Sequence, residues 1–290
     1  MKIDSDITGL PIQGLIREVS WRDTTNYAAS IGDENPAYLN DTFTGGIVAP
    51  PLFAVAVTWP IMEGMQTQLK DAVPPEAVMT MVHAFERLIF HRPVRPGDCL
   101  KISGEVASVY PTSAGTMVVL RLVAKDNKGE KVFTEYAGAM FRGVTCNGEG
   151  RGMENLPDAV AFEESPAPLW KATIPISGHA PFLYDGCTNI VFPIHTSVAV
   201  AKMVGLPDII LQGTATLAMA AKEILDREAN SDPGALAQIG CRFTGIVLPK
   251  SNIEMRLDGR LKTADGTYLK FSVFNASGQK ALTEGFAQIR

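Results

Sequence analysis

Histidine titrates near neutral pH and is the side chain best suited to moving protons in water, so the histidines come first. The chain has four. His83, His91 and His179 have no supporting context and read as structural or surface residues. His195 stands in a Pro193-Ile194-His195 run just before a helical pattern. Asp185, ten residues upstream, can shuttle a proton; Asn189, six upstream, can only orient a partner. Downstream, Leu211-Gln212-Gly213 enters a strongly apolar helix. A backbone N–H at a helix start favours negative charge developing on an oxygen, and glycine, lacking a Cβ, lets a ligand come close.

Other chemistries are disfavoured. Cys99, Cys146, Cys187 and Cys241 lie far apart with no CxxC pair, which fits reduced thiols in a cytoplasmic protein. No Cys/His group has ligand spacing, so no metal is expected. The net charge of -5 offers no basic field for nucleic acid. The opening MKIDSDITGL has no apolar signal core. The most apolar stretch, around IVAPPLFAVAVTWP, is broken by Pro50, Pro51 and Pro60, so no membrane span is expected.

The elements that must position these residues follow one plan twice. Each half has a helical opening, then an enclosed helix, then a meander of strands. In the first half a short helix is expected over Thr25 to Ile31, followed by the polar run GDENPAYLND. A buried helix starts near Pro51, apolar on every side, with Pro60 expected to kink or end it. Strands are expected over Met79 to Arg92, Cys99 to Val109, Thr116 to Lys125 and Lys131 to Arg142. The stretch Thr145 to Pro166, rich in Gly, Asn, Glu and Pro, reads as a linker.

In the second half a helix is expected over His195 to Val204 and an enclosed one over Thr214 to Leu225. Strands follow near Leu236 to Val247, Ile253 to Lys262, Tyr268 to Asn275 and Ala281 to Ile289, with hairpin turns at Asp265-Gly266 and Ser277-Gly278. The halves overlay by pattern: Gly46 to Pro51 on Asp208 to Gly213, and Phe90 to Pro96 on Phe243 to Pro249. Expected limits are an N-terminal domain over 1–147, a linker over 148–166 and a C-terminal domain over 167–290.

Two stretches resemble the MaoC-like hydratase/dehydratase family, whose signature is an Asp-x-Asn-Pro-x-His run. Tyr27 to Tyr38 resembles it closely, through Asp33, Asn35 and Pro36, except that Tyr38 takes the histidine position. Tyrosine, with an ordinary pKa of about 10, is a poor base near neutral pH. Read on its own, the Asp33 and Asn35 pair is a turn and a helix cap. In the second half Pro193-Ile194-His195 resembles the end of the signature, while its acid falls on Ile190 and its Asn on Phe192. There Tyr184, Thr188, Ile194 and His195 fit a variant run, with Asn189 one place off.

The resemblance implies an α+β double hotdog, two antiparallel sheets each wrapped around a central helix. It implies an acyl-CoA hydratase/dehydratase that interconverts 2-enoyl-CoA and 3-hydroxyacyl-CoA, with CoA part of the substrate and no separate cofactor. A degenerate first half implies work through the second. His195, Asn189, Asp185 and Gly213 are then the catalytic candidates, and Tyr184, Gln212 and Pro51 the substrate-binding ones. A hotdog thioesterase and a non-catalytic acyl-CoA-binding subunit are the alternatives. A homodimer is compatible with the reading.

Overall fold

The computed structural model describes all residues except 43, 79 and 164–166. The first half contains β1 (Lys2–Asp4), β2 (Pro11–Glu18), α1 (Trp21–Ser30), α2 (Pro36–Leu39), α3 (Phe53–Gln68), α4 (Pro75–Val78), β3 (Met81–Phe90), β4 (Cys99–Thr112), β5 (Gly115–Lys125), β6 (Lys131–Arg142) and β7 (Thr145–Asn147). The second contains β8 (Trp170–Ile176), α5 (Ala180–Thr188), α6 (Val198–Met203), α7 (Gly213–Glu228), β9 (Leu236–Phe243), β10 (Ser251–Thr263), β11 (Gly266–Phe274) and β12 (Lys280–Ile289).

Ten strands form one sheet in the order β2-β4-β5-β6-β3-β9-β12-β11-β10-β8. Its first five come from the first half and its last five from the second. The seam is the antiparallel pair β3–β9, from Phe85 opposite Arg242 to Ile89 opposite Gln238. Pairing there gives each half's sheet a partner where it would otherwise present an open edge. The central helices α3 and α7 lie against the sheet in one continuous apolar core. This is the double hotdog expected from the repeat. Among the described residues no helix is long and apolar enough to cross a membrane.

The overlay of the halves holds at the hydrogen-bond level. Ala49 N donates to Val94 O at 2.8 Å, and Leu211 N donates to Val247 O at 2.8 Å. Val48 N donates to Ala37 O at 2.9 Å, and Ile210 N donates to Ile194 O at 3.4 Å. Each central helix is thus entered from a segment pinned between the signature loop and a strand end.

Several expected elements are corrected. α1 begins at Trp21, not Thr25, because a capping box starts it earlier. Asp23 N donates to Ser20 Oγ at 3.2 Å while Ser20 N donates to Asp23 Oδ2 at 3.0 Å. Pro60 does not end α3, which runs on to Gln68. A mid-helix proline costs about 3 kcal/mol. Burial of Val57, Ile61, Met65 and Leu69 on the same stretch offsets that cost. The start of the first meander strand at Met79 lies outside the described residues, and β3 begins at Met81.

The helix expected from His195 is in two pieces. Pro193–His195 forms a 3-10 turn, and α6 starts afresh at Val198, where Ser197 Oγ accepts from Val200 N at 3.4 Å. β8 and α5 have no counterpart in the sequence reading. The segment read as a linker is largely strapped down: β7 pairs with β1, and Arg151 exchanges backbone bonds with Val109 at 2.8 and 3.0 Å. Asn155 Nδ2 also donates to Ala107 O at 2.9 Å. The end of that segment, 164–166, lies outside the described residues.

Candidate functional site

The two signature loops face each other. Tyr27 on α1 and Tyr184 on α5 hold equivalent positions, each eleven residues before Tyr38 or His195. Their hydroxyls meet at 3.0 Å, and both side chains are fully buried. Tyr184 also donates to Thr214 Oγ1 at 3.1 Å, which ties the loop to the second residue of α7. Gln212 Nε2 donates to Pro181 O at 3.1 Å and adds a second tie. The structure therefore places Tyr184 and Gln212, two residues named for substrate binding, in the buried support of the α7 start. The Gln212 Oε1 atom is buried without a hydrogen-bond partner.

His195 closes the 3-10 turn and is half-buried. Its Nδ1 lies 2.8 Å from Ile210 O. A carbonyl only accepts, so Nδ1 carries the proton and Nε2 keeps its lone pair. Burial pushes the imidazole below its ordinary value of 6.5, and the Ile210 carbonyl partly opposes this by holding the N–H. His195 is thus a neutral imidazole with a fixed tautomer and an available basic nitrogen. Its backbone anchor, Ile210, lies three residues before Gly213.

Gly213 opens α7, a helix of 16 residues with no side-chain cap. Among the described residues the first backbone hydrogen bond at this end is Thr216 N to Gln212 O, at 3.1 Å. The N–H groups of Gly213, Thr214 and Ala215 have no hydrogen-bond partner among the described residues, as helix geometry requires of an uncapped first turn; Thr214 and Ala215 are buried and Gly213 is half-buried. A Cβ on Gly213 would come within 2.8 Å of the Phe243 ring, so a larger residue here would require that ring or the helix start to shift.

The remaining candidates are less close to this arrangement. Asn189 is exposed at the C-cap of α5 in the left-handed region (φ 56), its N–H donating to Asp185 O at 3.0 Å. Its side chain makes no hydrogen bond to His195 among the described residues. Asp185 is half-buried, its Oδ2 has no hydrogen-bond partner, and burial alone raises its pKa. Pro51 is in the first-half copy of the site: it lines a narrow crevice with Asp33, Tyr38, Ala218 and Lys222.

That first-half copy is closed. Asp33 Oδ1 accepts from Asn35 N at 3.0 Å, and Asn35 caps α2, its Oδ1 accepting from Ala37 N at 2.9 Å. Asn35 Nδ2 donates to Ser231 O at 2.7 Å. Tyr38 is fully buried, its hydroxyl has no hydrogen-bond partner, and burial raises it well above 10. Sequence reasoning missed Ile210, Thr214 and Phe243. Only Thr214 carried a signal, as a polar residue in the first turn of an enclosed helix.

Fold and site together define a double hotdog with one open signature loop. The family model described as a FAS1-like dehydratase domain region matches residues 6–135, and the MaoC-like domain model matches residues 167–264. A probable enoyl-CoA hydratase 2 of Dictyostelium discoideum is 24% identical over 247 residues, covering 85% of this chain and 79% of the relative. Enoyl-CoA hydratase ChsH3 of Mycobacterium tuberculosis is 26% identical over 182 residues, covering 62% of each chain. A MaoC-like dehydratase from Phytophthora capsici superposes with a TM-score of 0.80 at 21% identity, over 98% of this chain and 96% of that one. Each half of the chain thus matches a dehydratase-domain model, and the whole has the MaoC-like double-hotdog fold.

Proposed function

We propose that the chain is a hydro-lyase that adds water across the 2,3-double bond of a 2-enoyl-CoA, or removes it from the 3-hydroxyacyl-CoA. The observation that carries this reading is the pairing of His195, neutral at Nε2, with the uncapped start of α7 at Gly213. The relatives named as enoyl-CoA hydratases support it.

In the hydration direction His195 Nε2 takes a proton from water as the oxygen attacks C3. The electron pair moves through C2 to the thioester oxygen, where the Gly213 end of α7 donates hydrogen bonds. A proton then returns to C2 and the thioester carbonyl is restored. The imidazolium of His195 supplies that proton, or Asp185 does, since burial favours its protonated form. Asn189 orients the water in the latter case. CoA enters and leaves as part of the substrate, with no separate cofactor.

The reading extends to a cytoplasmic setting, consistent with four free cysteines. A homodimer is its least supported part, because the seam already joins the two sheets; light scattering of the purified chain tests it.

Enoyl absorbance is followed with a panel of 2-enoyl-CoA thioesters, for wild type and His195→Ala. The wild type is expected to consume the enoyl band without releasing thiol, and His195→Ala to lose on the order of 10²–10⁴-fold. Thiol release would mean a thioesterase. Binding without turnover, equal in both proteins, would mean a non-catalytic acyl-CoA subunit.

A further inference from the structure

His83, Glu86 and Glu135 form a buried polar group on the core face of the sheet, at the seam between the halves. Glu86 lies opposite Ala137 on one side and Cys241 on the other. Glu135 lies opposite Leu88, and His83 opposite Ala139, on the same face. Glu86 is 1% exposed and Glu135 0%. Both oxygens of both carboxyls, and His83 Nε2, are buried without a well-aligned hydrogen-bond partner, although the Thr58 hydroxyl lies close enough to Glu135, and the Arg87 backbone N–H close enough to Glu86, to favour the ionised carboxyl. His83 Nε2 approaches Glu86 Oε2 to 3.2 Å but is not aligned with it as a hydrogen bond.

Such a group has no structural justification. Leaving a buried polar atom unpaired costs about 1–3 kcal/mol, and apolar residues of the same shape would serve a core better. The positions also adjoin the start of α7. The Phe243 ring is centred 4.8 Å from the His83 ring, and it is the ring that a Cβ on Gly213 would strike at 2.8 Å. Glu86 is within electrostatic reach of Tyr27 and of Tyr184, and Tyr184 bonds Thr214. Only the His83 edge of the group reaches that side, and Glu86 and Glu135 are enclosed. Gly213 and Phe243 are half-buried, and the His83 side chain is 24% exposed although its Nε2 points inward.

We propose that His83, Glu86 and Glu135 recognise an uncharged oxygen function, a hydroxyl or keto group, on the acyl part of the thioester. This rests on the acyl-CoA reading above and narrows its substrate class to oxygenated acyl groups. An acyl chain held by its thioester at Gly213 passes Phe243 to reach the three side chains. Phe243 must turn aside to admit it.

The chemistry of the group selects the ligand. Burial drives both carboxyls well above the usual carboxylate range and lowers His83 to about 4. The neighbouring Cys241 thiol is likewise held neutral by burial. Burial thus favours the neutral form of each group, which offers O–H donors, carbonyl acceptors and one imidazole. A hydroxyl can donate and accept there, and a keto oxygen can accept. An ionised carboxylate finds no cation, and an ammonium finds no anion.

The test reads binding, so it does not depend on turnover. Saturated acyl-CoA thioesters are titrated calorimetrically into wild type, Glu86→Met and Glu135→Met. Each acyl group is offered plain and with one hydroxyl or keto group at successive carbons beyond C3. At one position or a few adjacent ones, the oxygenated thioester is expected to bind wild type at least tenfold more tightly than the plain one. That preference should vanish in Glu86→Met while affinity for the plain thioester is kept. Thermal melting checks that each variant is folded; replacing an unpaired buried carboxyl should not lower the midpoint. The proposal is overturned if wild type prefers no oxygenated thioester at any position, or if both variants keep the preference. Absence of hydration with intact, selective binding would overturn the enzyme reading and leave this one standing.

Discussion

The two signature loops share a backbone plan and differ in what their side chains leave open. In the first half the entry to the central helix is Pro50-Pro51, which supplies no N–H at either residue. Beyond Leu52 the next donors are used: Phe53 N bonds Pro50 O at 2.9 Å, Ala54 N bonds Pro51 O at 3.3 Å and Val55 N bonds Leu52 O at 3.1 Å. In the second half the matching entry is Gln212-Gly213, and among the described residues the first-turn N–H groups have no hydrogen-bond partner. Where the first half buries a phenol, the second holds a neutral imidazole. The outward positions differ too. Thr25, Asn26, Glu34 and Asn35 are matched by Phe182, Leu183, Val191 and Phe192, all of which are exposed. One copy of the loop has become packing, and the other has kept its donors and base.

The largest break in this contrast should come from Gly213→Ala. Its Cβ would meet the Phe243 ring at 2.8 Å, displacing the start of α7 or the ring. Alanine keeps the backbone N–H, but a displaced helix start takes it off line, and losing an oxyanion donor costs on the order of 10²–10³-fold in kcat. A loss of that size is expected in the enoyl-absorbance assay, with partial recovery in Gly213→Ala combined with Phe243→Leu. An active Gly213→Ala enzyme would show that the helix start is not where the thioester oxygen sits.

The next effect is on pH. Burial lowers the His195 pKa below 6.5, and the proposed reaction uses the neutral form as base. The kcat/KM of wild type should therefore be flat from neutral pH down to about 6.5 and then fall, approaching tenfold per pH unit beyond the lowered value. Stability shifts with the same sign. Below about 6.5 the unfolded imidazole takes the proton first, so folding weakens as pH drops toward the native value. A limb with an apparent pKa above 6.5 would place the base elsewhere.

The smallest effects compare the two buried tyrosines near the helix entries. Tyr38→Phe removes a hydroxyl that has no hydrogen-bond partner, and should stabilise the fold by about 1 kcal/mol without changing activity. Tyr184→Phe removes the link between Tyr27 and Thr214, and should destabilise by about 1–2 kcal/mol. Urea unfolding of both variants reads the difference directly. Equal effects of the same sign would mean that the loops do not differ in the way described.

Much of the fold was legible because it rests on local periodicity. The meander strands, the two enclosed helices and their duplicated order all follow from apolar pattern and turn residues. Boundaries failed where a side chain decided them, as at Ser20 and Asp23 before α1 and at Ser197 before α6. At the candidate site, His195 and Gly213 stand out by type and position, because proton transfer and close backbone approach call for such residues. Asp185 and Asn189 were chosen by spacing along the chain, and spacing does not say where a side chain points.

By itself, then, the sequence determined the repeat, the presence of Tyr38 where the signature has histidine, and that of His195 in the second half. These are properties of residue identity and periodicity, which survive without coordinates. Only the tertiary structure decided that Ile210 fixes the His195 tautomer. The same holds for the placement of Phe243 beside Gly213 and for the pairing of β3 with β9, which puts Glu86 opposite Cys241. Each of those contacts joins residues distant in sequence or depends on strand register. A register shift of one residue would turn Glu86 to the other face, and no local pattern could reveal which face it takes.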